Sequence, residues 1–329
     1  MSKIPLSVLE LAVVSQGETT KDAIDRSVKV AQHAESLGYN RLWLAEHHNM
    51  EHIASSATSV LIGHIAGKTE KIRVGSGGIM LPNHSPLVIA EQFGTLETIY
   101  PGRIDLGLGR APGTDQLTAM ALRRNNMGSP YDFPDDVTAL HNYFENTDIN
   151  SKVRAFPGEG LDIPVWILGS STDSAFLAAE RGLPYAFAAH FAPTQFGAAI
   201  DIYRKNFKPS KYLDKPYMMA CVNVFGADTD EEAEFLATSL YRMFLGIVTN
   251  QRMPLQPPGE LPSTFYMPEV QEMMRRMTAC TFMGNEESLK KKLTAFIDET
   301  QIDEMMVTSY IFDMQARLKS YEILKKALN

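Results

Sequence analysis

Short apolar runs alternate with amphipathic stretches along nearly the whole chain. Residues 5–14 (PLSVLELAVV) are apolar and β-prone. Thr19 or Thr20 caps the helix that follows. Ala23, Val28, Ala31, Ala34 and Leu37 share one side of it, and Gly38 ends it. The alternation repeats as strand 40–45, helix 54–69, strand 71–75, helix 87–100 and strand 104–108, with Pro101-Gly102 as the breaker before the last of these. A helix over 135–146 precedes strand 164–168, helix 171–181, strand 185–189, helix 193–207, strand 217–225 and helix 228–247. The chain then closes with a helix capped by Asn285 and running to 299, strand 304–309 and helix 314–327.

Two segments break the pattern. Residues 111–129 are rich in Gly, Pro, Asn and Arg and read as a long functional loop. Residues 248–283 carry Pro254, Pro257, Pro258, Pro262 and Pro268 around a short helix at 270–277, and read as an inserted excursion too small for its own core. The remainder counts to eight strands, each followed by a helix, which predicts a closed (β/α)8 TIM barrel spanning 1–329 as a single α/β domain. An open doubly wound sheet shares the alternation, and the count of eight favours closure.

Composition narrows the classes. With 44% hydrophobic and 21% charged residues the chain is globular rather than disordered. Lys plus Arg total 31 against 39 Asp plus Glu, a net charge of −8, which gives no global attraction to nucleic acid or an anionic membrane. Two cysteines, Cys221 and Cys280, supply neither a disulfide framework nor a four-cysteine zinc site. No apolar signal core or run of about 18 apolar residues occurs, so the expected location is the cytoplasm.

In a barrel the site lies at the C-terminal strand ends. Glu46, His47, His48 and His52 follow the second strand, Gly77 and Gly78 the third, Arg110 the fourth, Gly169, Ser170 and Ser171 the fifth, and His190 the sixth. The histidine cluster reads as a hydrogen-bonded helix start or as an acid/base group beside a reactive centre. His48 and His52 have ligand spacing for a helix, but HExxH is absent and no metal is expected. The Gly169–Ser174 turn, with Ser170, Ser171 and Ser174, suits either an anion at a helix N-terminus or simple capping. Arg110 serves the same anion or a structural ion pair. GxGxxG, P-loop and GxSxG motifs are missing, which argues against dinucleotide, triphosphate and serine-hydrolase chemistry.

WLAEHHN (43–49), IRVGSGGIMLPNHSP (72–86), AEQF (90–93), PGRIDLGLGRAPG (101–113) and PVWILGSSTDSAFLAAERGLPYAFAAHF (164–191) together resemble the bacterial luciferase-like monooxygenase superfamily. The resemblance implies a barrel that takes FMN as reduced flavin from a separate NAD(P)H reductase and reacts with O2 through a C4a-peroxyflavin to oxidise a small organic substrate. It assigns His47, beside Glu46 and His48, to catalysis. It places Gly77-Gly78 at a cis peptide under the flavin ring, and Arg110, Gly169, Ser170, Ser171 and Ser174 around the phosphate. Ser170 stands where luciferase has a glutamate, and Gly109 where it has a reactive cysteine. On the same reading His190 and the 111–129 loop line the substrate side, 248–283 forms a mobile lid, and Arg123 and Arg124 serve phosphate, substrate or the surface. The apolar helix at 54–66 suits a homodimer interface or the barrel wall. An F420-dependent oxidoreductase and a non-catalytic flavin-binding protein are the alternatives on this fold.

Overall fold

The structure, a computed structural model, describes residues 4–123, 132–145 and 150–328. Its parallel strands are β1 (Leu6–Glu10), β2 (Arg41–Leu44), β3 (Arg73–Met80), β4 (Ile104–Gly109), β5 (Val165–Gly169), β6 (Tyr185–Phe187), β7 (Met218–Gly226), β8 (Thr281–Gly284) and β9 (Glu304–Thr308). Each of β1 to β6 pairs with the next, β6 pairs with β7, β7 with β9, and β9 with β1, which closes an eight-stranded parallel barrel. Helices α1 (Thr20–Ser36), α2 (Thr58–Ala66), α3 (Pro86–Ile99), α4 (Gln116–Arg123), α5 (Phe133–Glu145), α6 (Thr172–Arg181), α7 (Phe196–Asn206), α8 (Asp230–Val248), α9 (Pro268–Met277), α10 (Glu286–Thr300) and α11 (Met314–Ala327) accompany the strands.

Local chemistry sets these elements. Thr19 and Asp22 form a reciprocal capping box on α1, and Gly182 ends α6 at φ 61°, in the left-handed region that glycine enters without a Cβ clash. Among the described residues no helix is long and apolar enough to cross a membrane.

Alternate strand residues face inward and outward. The outward set, with Val8, Leu42, Val74, Leu106 and Ile167, packs on the helices. The inward set fills the barrel. At its N-terminal end Arg41 lies between Asp105 (2.7 Å) and Glu304 (2.9 Å), and Glu304 also accepts from Ser7 and from the Tyr217 hydroxyl. Trp43 donates its indole N–H to Asp105 and packs edge-on against Trp166 at 5.1 Å. This charged and aromatic plug closes the bottom of the barrel, leaving the opposite end for chemistry.

Several boundaries differ from those the sequence predicts. The first strand ends at Glu10 rather than 14, because Ala12 turns out of the barrel at φ 50° with its N–H bonded to the Glu10 carboxylate. The third strand runs on through Gly77 and Gly78 to Met80. Its glycines are there because β3 and β4 approach too closely for side chains: a Cβ on Gly75 would lie 2.5 Å from the Asp105 carbonyl. The 111–129 segment is not simply a loop. It contains α4, whose first turn is held by the Asp115 carboxylate accepting from the Thr118 N–H. The 248–283 excursion ends in β8, which pairs with residues 223–226 of β7 above the short β6. The helix expected at 54–69 occupies only Thr58–Ala66.

Candidate active site

The C-terminal strand ends converge as a barrel requires, and Glu46 organises them. Its carboxylate is buried and accepts the Nε2–H of His48 at 2.8 Å, the Nε2–H of His84 at 2.9 Å and the backbone N–H of Met80 at 3.1 Å. Burial pushes the Glu46 carboxyl up, but these three hydrogen bonds and the nearby imidazole of His84 outweigh it and hold the group below the usual carboxylate range. Glu46, His48 and His84 also present three ligand-type atoms within 4.8 Å of one another. The sequence reading missed His84, which enters from the turn Leu81–Asn83 that follows β3. His48 and His52, whose spacing would suit a helix, are not on one: His52 lies in a turn beside Glu51 and His48 bonds Glu46.

His47 points elsewhere. Its backbone N–H donates to Ser55, and its Nδ1 is shut off from solvent without a hydrogen-bond partner. Burial lowers its pKa to about 4, with Glu46 opposing the shift and His48 and Arg252 adding to it. His190 is buried too, with an equally unpartnered Nδ1, and burial together with His47 lowers it to about 3. Asn223 holds the His190 carbonyl through Nδ2 at 2.6 Å, while its own Oδ1 is buried without a partner. Two neutral imidazoles and an amide oxygen therefore offer unused hydrogen-bonding positions near the C-terminal strand ends, where a ligand could satisfy them.

Beside them the wall is backbone. The Gly77–Gly78 peptide is cis. A Cβ on Gly78 would lie 2.1 Å from Leu168 Cδ1 and 2.7 Å from the Gly107 carbonyl, and one on Gly107 would lie 2.2 Å from the Ser76 carbonyl. These distances show β3, β4 and β5 packed closely at Gly77, Gly78 and Gly107, with the space beside the glycines already taken by Leu9, Leu168 and the neighbouring main chain.

Arg110, at the end of β4, meets the start of α6, where it pairs with Asp173 at 3.1 Å. The predicted neighbourhood of Arg110 and the 169–174 turn thus exists, and both sides of the ion pair are substantially exposed, at 44% and 67%. Ser170 is exposed, and Ser171 occupies the N-cap without using its hydroxyl there. Ser174 is committed inward, to the Ser171 carbonyl at 2.8 Å and the Tyr185 hydroxyl at 2.9 Å, because it fills the space beside Gly169. Gln195, which the sequence reading did not single out, accepts from the Thr172 N–H at 3.1 Å. A phosphate at the helix N-terminus fits this donor set, with Arg110 and the Ser170 and Ser171 hydroxyls on one side. Arg123 donates to Asn83, which in turn holds the Pro112 carbonyl, so it braces the rim; Arg124 lies outside the described residues.

Comparison with known proteins identifies the family. Residues 5–303 match the family model for luciferase-like monooxygenase. A luciferase-like monooxygenase of Escherichia coli (strain K12) is 51% identical over 320 residues, covering 97% of this chain and 96% of its own. The N-acetyl-S-alkylcysteine monooxygenase of Bacillus subtilis (strain 168) is 32% identical over 333 residues, with 99% and 98% covered. Among solved structures, apo-MsnO8 superimposes with a TM-score of 0.87 at 33% identity, covering 98% of both chains. The fold alone is shared with the oxygenating constituent of 3,6-diketocamphane monooxygenase from the CAM plasmid of Pseudomonas putida, in complex with FMN (TM-score 0.75, 17% identity, 98% and 97% covered). It is shared as well with an F420-dependent secondary alcohol dehydrogenase (TM-score 0.70, 15% identity, 99% of both chains covered).

Proposed function

This chain belongs to the luciferase-like monooxygenase family, and from that premise we propose that it is an FMN-dependent monooxygenase acting on a small organic substrate. A separate reductase delivers the reduced flavin. The observation that carries the reading is the pair of buried, unpartnered and neutral imidazoles of His47 and His190, which follow the C-terminal ends of β2 and β6. Reduced FMN, when bound, supplies the electrons that activate O2 for insertion of one oxygen atom.

The residues of this chain do the rest. Arg110, Ser170 and Ser171 hold the phosphate, and Asp173 yields its ion pair as they do so. The Gly77–Gly78 peptide supports the ring. His47, neutral near pH 7, offers either a proton or a lone pair at Nδ1, and Glu46 fixes its neighbour His48 rather than reacting. Leu11, Ala45 and Leu255 are buried around the opening and exclude water, which preserves an oxidising intermediate from wasteful decay. The 248–283 segment acts as the lid, and the apolar face of α2, with Val60 69% exposed, serves a homodimer interface. F420 would engage the same phosphate residues, so cofactor choice decides between oxygen insertion and hydride transfer.

The test is turnover. The protein with reduced FMN, a flavin reductase and a panel that begins with N-acetyl-S-alkylcysteines, suggested by the Bacillus subtilis relative, is expected to couple O2 uptake to product. Uptake that yields only hydrogen peroxide with every substrate supports a non-catalytic flavin binder instead.

A further inference from the structure

One buried carboxylate lacks the cation that its peers have. Glu10, Asp105 and Glu304 are, like Glu46, at most 1% exposed. Glu10 meets the Arg317 guanidinium at 2.7 Å, Asp105 meets Arg41 and Arg73, and Glu304 meets Arg41. Among the described residues no lysine or arginine pairs with Glu46, whose partners are the imidazoles of His48 and His84. A carboxylate taken out of water is ordinarily paired with a full charge or bound to a metal.

The two imidazoles converge on a single oxygen. His48 Nε2 stands 2.8 Å and His84 Nε2 2.9 Å from Glu46 Oε1, and all three atoms lie within 4.8 Å of one another. Around a cation with bonds of about 2.0–2.1 Å, the ligand atoms of a tetrahedral shell sit roughly 3.3 Å apart, so small side-chain adjustments bring these three to that spacing. The metal then takes the place of the two Nε2 protons, and each neutral ring carries its proton on Nδ1 instead.

The three ligands are held in advance. Glu46 Oε2 accepts the Met80 N–H at 3.1 Å, which leaves Oε1 to the rings. The His48 N–H donates to the Gly113 carbonyl at 3.3 Å, and the His48 carbonyl accepts from the Thr114 hydroxyl at 2.9 Å. The His84 N–H donates to the Leu81 carbonyl at 2.9 Å, and α3 begins two residues later at Pro86. Such support separates a built site from histidines scattered on a surface. The Glu46 side chain lies deepest, while those of His48 and His84 are 15% and 27% exposed, so an ion has its way in from the histidine side.

We propose that Glu46, His48 and His84 form a binding site for one divalent transition-metal ion of the zinc class, which ties the end of β2 to the turn after β3. Two imidazoles and a carboxylate suit Zn2+, whereas Mg2+ and Ca2+ prefer shells of oxygen alone. The assignment goes beyond the monooxygenase reading and does not rest on it, since neither flavin nor substrate takes part.

The full chain, stripped with a chelator and dialysed, is titrated with Zn2+ by calorimetry and with Co2+ by visible absorption. Wild type is expected to take one equivalent of either metal at this site, to show the intense bands of cobalt in a low-coordinate shell, and to unfold at a higher temperature with Zn2+ but not with Mg2+. His84→Gln keeps an N–H donor for Glu46 and is expected to retain the wild-type circular dichroism. Its Zn2+ affinity should fall at least about tenfold and the cobalt bands should vanish. His48→Gln is expected to do the same, while His52→Ala, in the adjoining turn, binds as wild type does and controls for other histidines. Absence of a one-equivalent site in wild type overturns the proposal. So does Zn2+ affinity unchanged in His84→Gln, or a loss in His52→Ala as large as that in His84→Gln.

Discussion

Glu46 Oε1 and His84 Nε2, from positions 38 apart in sequence, meet at 2.9 Å and tie the end of β2 to the turn after β3. Replacing His84 by Ala removes one of the three donors that keep Glu46 ionised. The Glu46 carboxyl is then expected to rise toward or above its ordinary range. Because His84 is partly exposed, the stability cost should be modest, about 1 kcal/mol. Thermal unfolding across pH checks both parts. A carboxyl held low contributes stability above its unfolded value, lost as pH falls through the folded one, so wild type and variant should converge toward acid.

His47 and His190 titrate in the opposite sense to salt-bridged histidines. Both are lowered, to about 4 and about 3, so the unfolded chain binds protons that the folded one refuses. Their contribution is complete above about 6.5, the unfolded value, and declines as pH falls toward the folded values. Imidazole NMR signals of both residues should hold their neutral shifts down to about pH 5. An inflection near 6.5 at either position would contradict their burial as drawn.

Arg41 is the keystone of the barrel floor. Arg41→Ala would leave Asp105 and Glu304 facing each other without their shared cation, and truncating one member of a buried ion network costs about 3–5 kcal/mol. Arg73 still reaches Asp105, so Glu304 bears the larger loss. Chemical denaturation of the variant measures it, and an effect below about 1 kcal/mol would show that the network is not holding the floor.

The glycine wall predicts a sharp steric effect. A Cβ on Gly78 has nowhere to go, with Leu168 Cδ1 at 2.1 Å and the Gly107 carbonyl at 2.7 Å. Gly78→Ala should displace β3 against β4 and β5 and abolish flavin binding. Gly17→Ala, where nothing lies within 4 Å, controls for a substitution that fails only through its backbone angle.

Much of this was legible in sequence because it depends on local chemistry. The barrel follows from counting strands that alternate with amphipathic helices, and the same count sets Arg110 and the 169–174 turn at adjacent strand ends, where Arg110 meets Asp173. What the sequence hid lies in long-range geometry. His84 sits in NHSP with no periodic signal, and only the turn after β3 brings it to Glu46. Strand β8 reads as part of a Pro-rich excursion, since four residues beside β7 carry too little pattern to announce a strand. The family resemblance sets Ser174 among the phosphate residues, whereas its hydroxyl is bonded to the Ser171 carbonyl and Tyr185.

On the proposed function, Arg110 and the α6 N-terminus hold the phosphate of reduced FMN while the Gly77–Gly78 peptide supports its ring. Anaerobic titration of reduced FMN into wild type, Arg110→Ala and Asp173→Ala tests it directly. Wild type is expected to bind tightly, with a loss of about tenfold or more in Arg110→Ala. Asp173→Ala, which frees Arg110 from its exposed partner, is expected to bind equally or more tightly. Failure of wild type to bind reduced FMN, or affinity indifferent to Arg110, would contradict it.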